Sequence, residues 1–386
     1  MPANFVSLLP VFITIMGSSK QIVANMLAAG GIALNGTNPW DMQVHNQKLY
    51  DRILSDGSLG FGEAYMDGWW DCPSLDELFF RIQYHRIDKQ IPRDLNTLLY
   101  YLRSKYFNMQ TKDRAKKVAR RHYDIREDVF EKTLDKRMLY SCGYWKNMTN
   151  LDDAQEHKLD LICRKLKLEP GMRVLDMGCG WGGFANFAAE KYKVNVVGIT
   201  ISEQQAAYAR KINRDLPVEI IVKDYRDLHD KFDRIAAIAM TEHIGYRNYR
   251  AQMEVLSRNL VDDGICLLHT IGGNYPAKTT DPWIDKYIFP NGMLPSAGQL
   301  ADAWKGLFIL EDWHNFGPDY DLTCMAWRKK FEDNWHELSA HYNESFYRMW
   351  RYYLSASAAS FRSRKNHLWQ IILTKPTKLG LYEAVR

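Results

Sequence analysis

The sequence predicts an α/β fold: a mostly parallel sheet covered by helices on both faces, joined to a smaller, mainly helical N-terminal domain. Three observations carry this. Beyond about residue 122, short runs rich in β-branched residues alternate with amphipathic stretches, the pattern of a parallel sheet. The first of those runs falls into a glycine-rich turn, "VLDMGCGWGG" at 174–183, where a doubly wound sheet places its ligand. The chain's 386 residues also exceed one average domain.

From the N-terminus, residues 5–16, "FVSLLPVFITIM", form an apolar helix that packs on the body or touches a membrane surface. No basic residue precedes it and no small-residue cleavage site clearly follows, so it does not read as a signal peptide. Residues 20–100 look mostly helical, with "GSLGFGEAYMDGWWDC" at 57–72 as a glycine- and aromatic-rich insert. Domain limits fall at 1–103, a basic linker at 104–121, and 122–386. Within the linker, "KDRAKKVARR" (112–121) has six basic residues against one acid. It is a solvated helix face or a membrane-facing cluster, where each cation near an anionic leaflet contributes about 1 kcal/mol. Strands are expected at 173–177, 194–199, 218–222, 232–240 and 265–271. Gly171, "DDG" at 262–264 and Gly272–Gly273 punctuate them as turns.

Composition excludes several classes. The chain is 46% apolar with net charge +5, and no run of about 18 apolar residues is available to cross a bilayer. Its six cysteines (Cys72, Cys142, Cys163, Cys179, Cys266, Cys324) lack metal-ligand spacing, which suits a reducing, cytoplasmic compartment. No H-E-x-x-H, no nucleophile elbow and no nucleic-acid module is present, so neither a metal nor a nucleic-acid partner is expected.

The glycine turn contains G-x-G-x-x-G at Gly178, Gly180 and Gly183, the spacing of a dinucleotide site. Two neighbours argue otherwise. A dinucleotide fold keeps the position two before the first glycine apolar, whereas this chain has Asp176. A carboxylate inside a strand needs donors or a cation, which a sulfonium cofactor with an amino-acid ammonium supplies and a pyrophosphate does not. At the end of the second strand, "VVGITIS" puts Thr200 where a ribose-binding acid belongs, with Glu203 further on in the helix. S-adenosylmethionine is therefore favoured over a nicotinamide. After the third strand, "KDYRDL" brings Asp224, able to accept from an adenine amino group, and Tyr225, able to stack. The fourth and fifth strands end in "MTEHIG" and "LLHTIG", placing Glu242, His243 and His269 at the same edge.

Taken together, "GSLGFGEAYMDGWW", "HYD", "YSCGYW", "VLDMGCGWGG", "TISEQQ", "EHIG", "LLHTIG", "DPWIDKYIFPNG" and "DWHNFGPDYD" closely resemble the bacterial cyclopropane-fatty-acyl-phospholipid synthases and their mycolic acid cyclopropane synthase relatives, over about residues 20–375. The resemblance implies a class I S-adenosylmethionine-dependent methyltransferase fold, Rossmann-like with a mostly parallel seven-stranded sheet. The implied activity is methylene transfer from S-adenosylmethionine to the cis double bond of an acyl chain in a membrane phospholipid, with bicarbonate as the base. Carried over residue by residue, the bicarbonate pocket would be the backbone N–H of Cys142 and Ile271 with Glu242, His269 and Tyr320. The cofactor contacts fall on Tyr140, Ser141, Gly178, Gly180, Thr200, Gln205 and Tyr225, beside Asp176 and Asp224. A cysteine that some members carry near the C-terminus is Ser357 here. The family also implies a homodimer, peripheral on the inner face of the cell membrane. Three rivals stand beside this reading: a methyltransferase of the same fold giving a methyl-branched or unsaturated product, an inactive lipid-binding homologue, and a nicotinamide dehydrogenase.

Overall fold

The computed structural model describes residues 18–89, 127–277 and 279–386; the apolar 5–16 and basic 112–121 stretches lie outside them. Helices α1 (Ser19–Ala28), α2 (Leu49–Met66) and α3 (Leu75–Tyr84) come first, with a two-stranded antiparallel pair, β1 (Gln43–Val44) and β2 (Trp70–Asp71). The insert expected at 57–72 is the second half of α2 running into β2. Gly57 kinks the helix at φ 58°, ψ −132°. Gly62 sits in helix despite its poor propensity because a Cβ there would lie 2.3 Å from the Trp283 ring. Gly62→Ala is expected to destabilise the protein by about 1–3 kcal/mol through overpacking, read as a lower urea midpoint at unchanged slope. An unchanged midpoint would refute this contact.

Seven strands form the main sheet in the order β5–β4–β3–β6–β7–β9–β8. They are β3 (Arg173–Met177), β4 (Asn195–Thr200), β5 (Val218–Val222), β6 (Phe232–Ile238), β7 (Leu260–Gly273), β8 (Ile309–Asn315) and β9 (Asn366–Thr374). The first five are parallel, whereas β9 runs antiparallel to both β7 and β8. Strand order reverses between β3 and β6, the point where such sheets open a crevice at their carboxyl ends.

Two expected turns are strand instead. "DDG" at 262–264 falls within β7, where the register with β6 jumps from Phe232↔Leu260 to Arg234↔Ile265 as a bulge. Gly272 and Gly273 continue β7 and pair with His367 and Asn366. A Cβ on Gly272 would lie 2.0 Å from the Trp369 ring, so glycine is there for ring packing.

One apolar cluster joins α1–α3 to the Pro318–Asp333 and Glu344–Arg362 helices, uniting Trp70, Leu78, Trp327, Trp350 and Leu354. Arg348 ties these parts together: it donates to the carbonyls of Tyr65 and Trp70, pairs with Asp71, and stacks 4.1 Å above the Tyr65 ring. Three further clusters contain residues of the main sheet and the helices against it.

Candidate active site

The turn after β3 has the backbone its glycines permit. Gly178, Gly180 and Gly182 adopt φ of 88°, 52° and 84°, a region costly for other residues. Gly183 opens the following helix, and a Cβ there would lie 2.4 Å from the Arg137 carbonyl oxygen. The third glycine thus admits the 137–141 segment against the turn. Beneath lies a cavity of about 250 Å³ lined by every expected cofactor residue: Tyr140, Ser141, Asp176, Gly178, Gly180, Thr200, Gln205, Asp224 and Tyr225.

Asp176 is 1% exposed, and its Oδ2 has no hydrogen-bond partner. Burial pushes its carboxyl up to about 7, partly countered by Lys158. An orphaned buried carboxylate in a pocket asks for a cation or donor from a ligand. Lys158, fully buried in the Leu151–Lys165 helix, donates to Ser141 Oγ at 2.9 Å, and burial lowers its ammonium to about 8. Thr200 accepts from the Ser202 N–H and donates to Gln205 Oε1 at 3.1 Å, shaping the turn after β4 in place of an acid. Asp224 is held by Arg226, whose Nε and Nη2 reach its two oxygens at 2.8 and 2.6 Å. The Tyr225 hydroxyl is buried without a partner.

A second, mainly apolar cavity of about 1020 Å³ abuts the first; Tyr140, Ala239, His243 and Phe289 line both. Glu242, Ile271 and Tyr320 face the second cavity, whereas Cys142 and His269 line neither. Glu242 sits in the short Thr241–Ile244 helix just past β6. Its Oε1 accepts the Ile271 N–H at 2.6 Å, its Oε2 has no partner, and burial raises the carboxyl to about 7. His269 lies inside β7 rather than at its end, opposite Ile238 and Gln370. Its Nδ1 is 3.3 Å from Gln370 Nε2, its Nε2 is buried without a partner, and burial keeps the ring neutral. Tyr320 stacks on Phe361 at 4.5 Å, and burial holds its hydroxyl protonated. The Cys142 thiol, beside Thr323, is likewise pushed well above its usual range.

Several residues escaped the sequence reading. Phe289 lies 6.2 Å from Tyr140 and 5.8 Å from Tyr353, and Tyr140 hydrogen-bonds Tyr353 at 2.8 Å, so three rings wall the junction of the cavities. Phe289 sits in the "DPWIDKYIFPNG" motif, which could have pointed to it; Lys158 has no such signal. His243, which the sequence already placed at this edge, lines both cavities, and desolvation lowers its ring to about 4.

Residues 110–371 match the mycolic acid cyclopropane synthetase family. Over 364 residues the chain is 48% identical to the cyclopropane-fatty-acyl-phospholipid synthase of Escherichia coli K12, spanning 94% of this chain and 95% of that one. The chain belongs to the cyclopropane-fatty-acyl-phospholipid synthase family. Among the solved structures similar to it, the cyclopropane synthase MmaA2 of Mycobacterium tuberculosis is 30% identical, with a TM-score of 0.64 over 67% of this chain and 98% of that one. The mycolic acid cyclopropane synthase CmaA1, complexed with SAH and CTAB, is 32% identical with a TM-score of 0.63 over the same shares. Coclaurine N-methyltransferase, 20% identical with a TM-score of 0.68 over 81% of this chain and 98% of that one, shares the fold. This member of the family is an S-adenosylmethionine-dependent methyltransferase of class I fold.

Proposed function

We propose that the enzyme is a cyclopropane-fatty-acyl-phospholipid synthase, transferring a methylene from S-adenosylmethionine to the cis double bond of an unsaturated acyl chain in a membrane phospholipid. The observation that carries this reading is the shared wall: a cavity holding an orphaned buried carboxylate meets a larger cavity, deep enough for an acyl chain, at Tyr140, Ala239, His243 and Phe289. With it go peripheral attachment to the cytoplasmic face of the membrane, a homodimer, and an N-terminal lipid-associated domain before a catalytic domain. Among the described residues no helix is long and apolar enough to cross a membrane.

Tyr140, Ser141, Asp176, Gly178, Gly180, Thr200, Gln205, Asp224 and Tyr225, which line one cavity, would hold S-adenosylmethionine, which when bound would supply an electrophilic methyl. An alkene is a weak nucleophile, so the chain's contribution begins with alignment across the shared wall. The rings of Tyr140, Phe289 and Tyr353, which line the second cavity, would stabilise positive charge developing on the acyl chain. Burial keeps the Cys142 and Cys324 thiols protonated, so neither is offered as a thiolate that would trap that charge. Glu242 Oε2 and His269 Nε2 are buried without partners, orphaned atoms that a small oxyanion would satisfy, and Glu242 shares the second cavity with Tyr320. With the N–H groups of Cys142 and Ile271 these residues would hold bicarbonate, a weak base; the Ile271 N–H is shared with Glu242. Titrating at about 7, Glu242 can hold or release a proton at Oε2 under neutral conditions.

The test is to incubate the protein with S-adenosylmethionine, bicarbonate and vesicles of cis-monounsaturated phospholipid, then to analyse the fatty methyl esters by gas chromatography and mass spectrometry. The expected product is heavier by one methylene and lacks the alkene. A methyl-branched or still unsaturated chain would overturn ring closure.

A further inference from the structure

The mouth of the apolar cavity carries a cluster that the reaction does not use. Tyr84, Arg86, Lys89, Tyr275, Arg364 and Lys365 all line this cavity, and all are exposed. The rings of Tyr84 and Tyr275 are 62% and 77% exposed, unusual for large side chains. Three segments bring these residues together: the end of α3 with the turn after it, the loop after β7, and the turn between the Glu344–Arg362 helix and β9. Gln83 Nε2 donates to the Ala356 carbonyl, and Ser363 Oγ donates to Gln83 Oε1 at 3.4 Å, which sets the Arg86 turn beside the Arg364 turn. Gly273 pairs with Asn366, bringing Tyr275 alongside Lys365.

Charge distinguishes this rim from its surroundings. Neighbouring arginines are paired: Arg81 with Glu77, Arg348 with Asp71, Arg351 with Glu332, and Arg362 with Asp76 and Asp321. Arg86 and Arg364 make no ion pair among the described residues, so the fold does not explain their charge. Two acids line the same cavity, but Glu242 lies inside and Asp281 is used in capping the Pro282–Tyr287 helix. Unpaired guanidinium groups match phosphate oxygens, and tyrosine rings settle at the headgroup level of a bilayer.

We propose that this rim is a phospholipid headgroup site, in which Arg86 and Arg364 hold the phosphate of the lipid whose acyl chain enters the cavity. Tyr84 and Tyr275 seat the cavity mouth in the surface of an anionic leaflet. The inference rests on the phospholipid reading above and adds a recognition element separate from residues 112–121.

The test uses the full chain and Arg86→Gln/Arg364→Gln, both exposed positions, with vesicles containing phosphatidylglycerol. Co-sedimentation is expected to weaken by about 10- to 30-fold, as loss of two cations from an anionic surface implies. KM for vesicle lipid should rise by a similar factor, with kcat at saturating lipid and S-adenosylmethionine affinity kept. The Arg86→Lys/Arg364→Lys protein should recover most of the vesicle binding. Unchanged vesicle binding and KM in the glutamine protein would overturn the headgroup site even where the wild type makes product. A wild type that binds the vesicles, loses binding on substitution and yet makes no cyclopropane would leave the site standing and sink the reaction reading.

Discussion

Glu242→Gln is expected to lower turnover by about 10²- to 10⁴-fold, the usual worth of a positioned acid or base, while S-adenosylmethionine affinity stays within about twofold. The geometry separates the two effects. Glu242 faces the acyl cavity and does not line the cofactor cavity. Glutamine keeps an oxygen to accept the Ile271 N–H, so the short bond that positions this residue survives. It replaces the partnerless Oε2 with an amide, which removes the proton site and the negative charge together. Because burial has moved the carboxyl up to about 7, wild-type turnover should also vary with pH through neutrality, and the glutamine protein should lose that step. Single-turnover product formation alongside calorimetric cofactor binding checks both halves. A variant within about threefold of wild-type turnover would remove Glu242 from the chemistry, since a lost acid or base costs far more.

What could be read from the sequence was whatever depends on local backbone demands. The turn at 178–183 needs positive φ, and glycine is the residue that tolerates it, so the first crevice was visible in the letters. Asp176 was visible because a charge in an apolar strand is an anomaly. Long-range pairing was less legible. "NHLWQIILT" becomes β9, wedged antiparallel between β7 and β8, and the local sequence does not specify those partners. Gly272–Gly273 read as a turn, although the Trp369 ring that requires Gly272 to lack a side chain lies almost 100 residues away. Lys158 looks like a surface lysine of an amphipathic helix; only folding puts it under Ser141. For Asp224, "KDYRDL" suggested an adenine acceptor, yet Arg226, two residues on, takes both carboxylate oxygens.

Asp176→Asn should weaken S-adenosylmethionine binding by about 10- to 100-fold at pH 8, the range for losing a hydrogen bond to a charged group in a buried site. The pH dependence carries the sharper consequence. With its carboxyl raised to about 7, free wild-type protein holds a proton on Asp176 below neutrality, and a cofactor ammonium needs the ionised form. Binding must then release that proton, so the wild-type Kd should climb about tenfold per unit as pH falls below 7 and level off above it. The asparagine protein should show no such slope. Stability runs the other way. A carboxyl whose folded pKa is raised contributes stability that is fully present below its unfolded value of about 3.9 and is lost as pH rises through about 7. At pH 8 the free wild type therefore carries an uncompensated buried charge, only partly offset by Lys158, and Asp176→Asn should melt higher. At pH 4 that advantage should vanish. A residue serving only the fold would lower affinity and melting temperature together, whereas a group kept in a strained charge state for its ligand lowers one and raises the other.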